Sequence, residues 1–184
     1  MHELDIFKSW WQFFQTALIP SKFVNTTLFL LKTIMNKPKY LYKSEEEFKV
    51  YSFNSEGIRG TIKKMVIFSY TGEQNIYNLG FGDYDVETKT INDETITNNG
   101  DSLKVLATVA STVYAFTEKY PKALVFATGS NNVRTRLYRM GITNNLEEIK
   151  DDFEVFGLSV ETNLWEEFIS GEDYEAFIVK RKKL

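Results

Sequence analysis

Residues 123–142, ALVFATGSNNVRTRLYRMGI, predict the unit on which the fold depends. The apolar run 123–127 is short and continuous, which is typical of a buried strand. Asn131 follows a glycine turn, and its side chain can accept the unpaired amide hydrogens at a helix start. Gly141 is predicted to end that helix. Its predicted apolar face consists of Val133, Leu137 and Met140.

The turn between this strand and helix has the features of an anion site. Gly129, Ser130 and Asn131 lie where a helix start presents free amide hydrogens and the positive end of its dipole. Arg134 and Arg136 follow within two turns, where positive charge opposes that dipole. A bound phosphate or carboxylate would explain these arginines. The alternative is that they pair with acidic side chains at the surface.

Alternating or continuous apolar patterns predict three strands before this unit and two after it, at residues 50–54, 61–70, 76–84, 153–158 and 174–180. Apolar residues at helical spacing predict a first helix from about Ser102 to Pro121. Gly80 and Gly82 indicate a bulge or a close backbone approach in the third strand. A strand–helix–strand unit within an antiparallel sheet predicts an α+β domain with two main helices, ordered strand–strand–strand–helix–strand–helix–strand–strand.

The start of the first helix is a second place where an anion could bind. Asn99, Gly100 and Ser102 are the residues that would meet it. Asp101 already supplies negative charge there, and capping of the helix is the alternative explanation.

Composition limits the chemistry that the chain can carry. The 184 residues are 43% hydrophobic and 15% aromatic, which is enough for the core of one domain. The formal net charge of -3 disfavours a protein that coats nucleic acid. There is no cysteine, and the single histidine is His2. Serine–histidine and cysteine–histidine catalysis and thiolate metal sites are therefore excluded.

An acidic loop after the third strand has a partial resemblance to a calcium loop. Asp83, Asp85, Glu87 and Glu94 fall at its first, third, fifth and twelfth places. Thr88 occupies the sixth place, where the sharp turn of such a loop needs glycine. We therefore interpret the segment as a solvated acidic loop and expect no metal.

Residues 1–34 are richer in Trp, Phe and Leu than the remainder of the chain. Pro20, Ser21 and Lys22 interrupt the apolar run, so it predicts neither a membrane span nor a secretory signal. Three interpretations stay open: a helical pair packed on the domain, an interfacial or partner-binding helix, or a segment absent from the native product, with Met35 as initiator. We expect a single α+β domain over residues 35–184 and a cytoplasmic location.

The predicted order of elements resembles the later part of the GCN5-related N-acetyltransferase fold. The strand LVFAT is followed by Asn131, then Leu137-Tyr138, then Gly141-Ile142, at the spacing of that family. The resemblance implies acetyl-CoA or another acyl-CoA, with its pyrophosphate at the start of the first helix. It implies that Asn131 contacts the pantetheine arm and that Tyr138 protonates the departing thiolate. Asp83 or Asp85 is the candidate that deprotonates an amine substrate.

Other features favour a non-enzymatic binding or regulatory module. The loop at Gly100 has Thr97 where that family has Gln or Arg, and Asp101 adds an acid. In this alternative, an arginine-rich helix face of Arg134, Arg136 and Arg139 holds an anionic small molecule or an acidic partner. The stretches YNLGFGDYD, TNNGDSLKVLATVASTVYAFTEKYP and VFATGS also resemble a bacterial family of domains to which no activity is attached.

Overall fold

The computed structural model describes residues 37–92 and 97–183. The interpretations of residues 1–34 lie outside the described residues. The described strands are β1 (Lys43–Glu45), β2 (Val50–Gly57), β3 (Gly60–Tyr70), β4 (Ile76–Asp85), β5 (Thr90–Asn92), β6 (Leu124–Thr128), β7 (Phe153–Ser159), β8 (Trp165–Glu167) and β9 (Tyr174–Arg181). The described helices are α1 (Ser102–Lys119), α2 (Asn132–Asn144) and α3 (Leu146–Asp152).

The strands form one mixed sheet in the order β1-β2-β3-β4-β6-β9-β7-β8, with β5 paired to β4. Every pairing is antiparallel except that of β4 with β6. The predicted α+β class and the mostly antiparallel sheet are confirmed. The sequence did not predict β1, β5 and β8, which are three residues long and too short to show a period.

The two faces of the sheet have separate apolar cores. On one face, helix residues such as Val109 and Phe116 pack against Phe68 and Val125, and the rings of Phe68 and Phe116 stack at 4.1 Å between centroids. Among the described residues, strands alone build the cluster on the other face, around Phe126, Trp165 and Ile178. The sheet therefore carries its helices on one side only, within this part of the chain.

Helix α2 turns a different face to the core than its sequence predicted. Val133 is 60% exposed and Met140 38% exposed, whereas Arg134 is 5% exposed. The predicted apolar face is wrong, because the side chains that pack inward are Arg134, Tyr138 and Ile142, at helical spacing. Gly141 does not end the helix, which continues to Asn144.

Candidate functional site

Strands β4 and β6 part in the middle of the sheet and leave a wedge between them. Their parallel pairing covers only Ile76–Asn78 against Leu124–Phe126. Both strands then continue, β4 to Asp85 and β6 to Thr128, each held on its outer side by another strand. The wedge has a volume of about 210 Å³ and is lined by Asn78, Leu79, Gly80, Phe81, Thr128, Gly129, Ser130, Arg134 and Tyr138. Residues of the sheet and of the turn before α2 therefore meet at one site.

Strand β5 closes the far end of the wedge. It folds back and pairs with β4 from Asp83 to Asp85, on the edge opposite to β3. A Cβ atom on Gly82 would lie 2.5 Å from Ile91 Cγ2 and 2.6 Å from the carbonyl oxygen of Asn92. The close backbone approach predicted from the glycines is thus real at Gly82. Between β6 and β5, the edge of β4 has no strand partner among the described residues.

Arg134 extends from the first turn of α2 into this gap. Its guanidinium donates to the carbonyl oxygen of Phe81 at 2.5 Å and to that of Asn92 at 3.4 Å. The guanidinium carbon lies 5.9 Å from the centre of the Phe81 ring. Arg134 therefore binds main-chain acceptors inside the fold and ties α2 to β4 and β5.

Asn78 and Tyr138 line the wedge from opposite walls. Asn78 is the last residue of β4 that pairs with β6. Its side-chain oxygen is buried, and no donor among the described residues reaches it. A buried acceptor without a donor is costly, so this oxygen is suited to a donor carried by a ligand. Tyr138 is half-buried and follows Arg134 by one helical turn.

The turn before α2 is built by close packing and capping. The side-chain oxygen of Asn131 accepts from the amides of Val133 and Arg134, both at 3.1 Å, as predicted for a cap. A Cβ atom on Gly129 would lie 2.3 Å from the amide nitrogen of Thr135. Gly129 is therefore needed for the contact between the turn and the helix. Gly129, Ser130 and Asn131 also border a broad surface depression of about 850 Å³.

The three arginines of α2 do not form one cationic face, which corrects that prediction. Arg134 is buried. Arg139 pairs with the carboxylate of Asp173 and donates to the carbonyl oxygen of Glu172 at 3.1 Å. Arg136 is exposed at the rim of the depression. Positions 134, 136 and 139 lie on different sides of a helix with 3.6 residues per turn, so the three side chains point in different directions.

The loop before α1 is tied to the β2–β3 hairpin. Asn99 is 1% exposed, and its amide group donates to Ser55 Oγ and to the Gly60 carbonyl oxygen while accepting from the Arg59 amide. Asp101 precedes the helix, yet its carboxylate accepts from Tyr40 Oη and Ser55 Oγ rather than from a helix amide.

Gly100 and Ser102 belong to the same loop. Gly100 has a φ of 82°, a conformation that favours glycine. Ser102 is exposed as the first residue of α1 and borders a pocket of about 40 Å³ that also includes Asp101. The roles of Asn99, Gly100 and Ser102 toward a pyrophosphate stay predictions. The carboxylate of Asp101 at this helix start works against a second anion.

Asp83 and Asp85 have different surroundings at the end of β4. Asp83 forms an ion pair with Lys64, which is 5% exposed, and accepts from the Thr97 hydroxyl. The exposed Asp85 accepts from the amides of Glu87 and Thr88, and these hydrogen bonds lower the pKa of its carboxyl group. A lowered pKa makes Asp85 a poor proton acceptor.

Of the four acidic residues at the places of a calcium loop, Glu94 lies outside the described residues. Within residues 37–92 and 97–183, no three acidic or histidine side chains lie together as metal ligands would. In the same ranges, no helix has the length and apolarity that crossing a membrane requires.

Sequence reasoning missed Asn78 and Lys64 as site residues. Lys64 is in phase with the buried Val66 and Phe68 on β3, so the strand places it on the core-facing side, where its ammonium group pairs with Asp83. Asn78 had one available signal: it is a polar residue between Ile76 and Leu79 in a strand that otherwise reads as buried.

Together these features define a class: an α+β domain with helices on one face of a mixed sheet and a wedge between its two parallel strands. A model described as a family of unknown function (DUF6934) matches residues 36–182. The chain belongs to this family. The predicted resemblance to a family of domains without an attached activity is confirmed. No curated protein and no solved structure matches the chain.

Proposed function

We propose that the domain binds an acyl-CoA in the wedge between β4 and β6 and transfers its acyl group to an amine. The observation that carries the proposal is the parting of two parallel strands immediately after Asn78 and Phe126. An unpaired strand edge offers main-chain donors and acceptors to an extended ligand, and the pantetheine arm of coenzyme A contains two amide groups for such pairing. The acetyltransferase-like order of elements predicted from the sequence supports the same interpretation.

Two side chains in the wedge suit this reaction. Tyr138 projects from α2 beside Leu79, where its hydroxyl can donate a proton. Asn78 offers a buried side-chain oxygen that can accept a hydrogen bond from the attacking amine. The amine nitrogen forms a bond to the thioester carbonyl carbon as the carbon–sulfur bond breaks. The sulfur leaves with the bonding electron pair and takes a proton from Tyr138, and the proton lost by the nitrogen passes through water to restore Tyr138.

Arg134 has a defined place in this proposal. Its guanidinium holds the Phe81 carbonyl oxygen, which lies on the edge that the ligand would use. Ligand entry therefore requires that guanidinium to leave Phe81, after which it can pair with an anionic group of the ligand. The predicted contact of Arg134 with an anion belongs to this liganded state.

A second candidate function is a non-catalytic ligand-binding or regulatory module. The loop before α1 favours it, because Asn99 is fully engaged in internal hydrogen bonds and Asp101 places an acid at the helix start. Of the predicted arginine face, only Arg136 is turned to solvent in this structure, so a cationic surface would be small. An anionic partner would be held at the depression before α2.

One calorimetric titration of the full chain with acetyl-CoA, at fixed low salt, separates the two candidates. We expect micromolar binding under the first function. The variant Gly80→Val should abolish that binding, because it adds a side chain to the wedge at a position where a Cβ atom meets only the Ile67 carbonyl oxygen, at 3.9 Å. Asn54→Val, on an exposed position of β2, is the matched control and should bind like the parent.

Catalysis requires a further pair of variants. Tyr138→Phe should leave acetyl-CoA binding intact and slow acyl transfer to a panel of amines at least tenfold, as loss of an acid catalyst does. Asn78→Leu should retain stability, since its side-chain oxygen has no donor among the described residues, but should raise the KM for the amine. Absence of heat and of thermal stabilisation with acetyl-CoA would exclude the first function and leave the second.

A further inference from the structure

An apolar cavity lies next to the wedge, between the two long helices and the sheet. It has a volume of about 80 Å³. Small side chains leave this space: Ala110 on α1 and Ala127 on β6. Protein interiors contain few voids larger than a water molecule, so a cavity of this size at the centre of a helix–sheet interface stands out.

The lining of the cavity excludes polar occupants. Apart from two tyrosines, it consists of aliphatic and Phe side chains and glycine. The hydroxyl of Tyr114 points to the carbonyl oxygen of Glu148 at 3.4 Å and to Asp152 Oδ2 at 3.3 Å, so this residue contributes its ring. Apolar cavities of this kind stay dry and take up apolar molecules. A charged group would lose its hydration without finding a partner there.

Leu79 and Tyr138 line both the cavity and the wedge. The wedge and the apolar cavity therefore share one wall. A ligand with a polar extended arm and a short apolar end can occupy both by passing between these two side chains.

We propose that the cavity receives the acyl chain, and that the preferred donor carries a short, unbranched, uncharged acyl group of about four carbons. This inference rests on the proposed function. The expected length of the acyl chain follows from the cavity volume, because about 80 Å³ is roughly half of the ~150 Å³ that accommodates benzene. Two methylenes beyond acetyl therefore fit, and a long fatty chain does not.

The test compares acetyl-CoA, butyryl-CoA and succinyl-CoA by calorimetry with the full chain. Burial of a methylene is worth about fourfold in affinity, so butyryl-CoA should bind about fifteenfold more tightly than acetyl-CoA. Succinyl-CoA has the same four carbons but ends in a carboxylate, and it should bind no better than acetyl-CoA. The wild-type chain alone decides this comparison, whatever happens to any variant.

Ala110→Leu fills the cavity and should make butyryl-CoA and acetyl-CoA bind with nearly equal affinity. Ala115→Leu is the matched control, since Ala115 is equally half-buried on the same helix but lines a separate surface groove. Xenon at a few atmospheres should shift the methyl resonances of Leu106, Val109 and Ile142 in the parent and in Ala115→Leu. It should not shift them in Ala110→Leu. Absence of these shifts in the parent overturns the inference.

Failure of the inference differs from failure of the proposed function. If none of the three thioesters binds, both are overturned. If acetyl-CoA and butyryl-CoA bind with equal affinity, or if succinyl-CoA binds as well as butyryl-CoA, the acyl cavity is overturned and the wedge as a coenzyme A site still stands.

Discussion

The guanidinium of Arg134, in the first turn of α2, donates a hydrogen bond of 2.5 Å to the main-chain carbonyl oxygen of Phe81 on β4. This contact bridges the wedge at the point where β4 lacks a strand partner among the described residues. It replaces one of the hydrogen bonds that a neighbouring strand would supply. The same contact explains why an arginine, 5% exposed, stands on the core-facing side of the helix.

Removal of this side chain should destabilise the domain. We expect Arg134→Ala to lower the free energy of unfolding by about 1–3 kcal/mol, because the buried carbonyl oxygen of Phe81 loses its donor. Arg136→Ala, on the exposed side of the same helix, should change it by less than about 0.5 kcal/mol. Urea denaturation followed by circular dichroism measures both. Equal effects of the two substitutions would contradict a structural role for Arg134.

The hydroxyl of Tyr51 should be dispensable. Tyr51 is fully buried, and its hydroxyl has no hydrogen-bond partner among the described residues. Tyr51→Phe should therefore raise the free energy of unfolding by about 1 kcal/mol. Tyr114→Phe is the comparison, and it should lower the same quantity by up to about 1 kcal/mol, since the Tyr114 hydroxyl donates to Glu148 and Asp152. A loss of stability in Tyr51→Phe would show that its hydroxyl has a partner.

Stability should fall at alkaline pH because of buried tyrosines. Burial raises the pKa of Tyr51 and of Tyr114 above the ordinary value of 10.0, and the nearby Asp152 adds to the effect on Tyr114. The unfolded chain releases these protons near pH 10, whereas the folded chain retains them. Their contribution to stability is complete below pH 10 and is lost as the pH rises toward the folded-state values. The loss approaches about 1.4 kcal/mol per pH unit for each tyrosine.

Guanidinium denaturation midpoints between pH 8 and pH 11 measure this dependence. The double variant Tyr51→Phe, Tyr114→Phe should show a distinctly shallower decline above pH 10 than the parent. Parallel pH profiles for the two chains would rule out these residues as the cause.

The glycine before α2 should tolerate no side chain. We expect Gly129→Ala to lower the free energy of unfolding by about 1–3 kcal/mol, since its Cβ atom would lie 2.3 Å from the Thr135 amide nitrogen. Gly80→Ala, in the wedge, should cost far less because its nearest neighbour is a carbonyl oxygen at 3.9 Å. Thermal unfolding of both variants makes the comparison. Similar melting temperatures would mean that the turn can move away from the helix.

Local patterns sufficed to predict most elements of the fold. Strong periodicity or a continuous apolar run marks the strands β2, β3, β4 and β6 and the helix α1. Their predicted positions agree with the structure within three residues. Helix α2 was predicted in place but with the wrong face. Its inward side includes Arg134, and hydrophobic periodicity cannot identify a buried arginine.

The candidate site was only partly visible in the sequence. Gly129 and Asn131 were predicted because a glycine turn and a helix cap are local signals, and Tyr138 was predicted from the resemblance to the acetyltransferase family. Asn78 was not, because its position at the end of the β4–β6 pairing depends on two strands that are distant in the chain. Lys64 was missed although its spacing from Val66 and Phe68 places it on the core-facing side of β3.

The sequence by itself determined the order of the longer strands and of α1 and α2, and the cap of α2, because each depends on residues a few positions apart. It also excluded cysteine and histidine chemistry within the domain through composition alone. Only the tertiary structure decided that β4 and β6 pair for three residues and then diverge, and that Arg134 enters the gap. These features arise because β5, β6 and Arg134 of α2 all bond to one edge of β4, and those contacts join segments far apart in the chain.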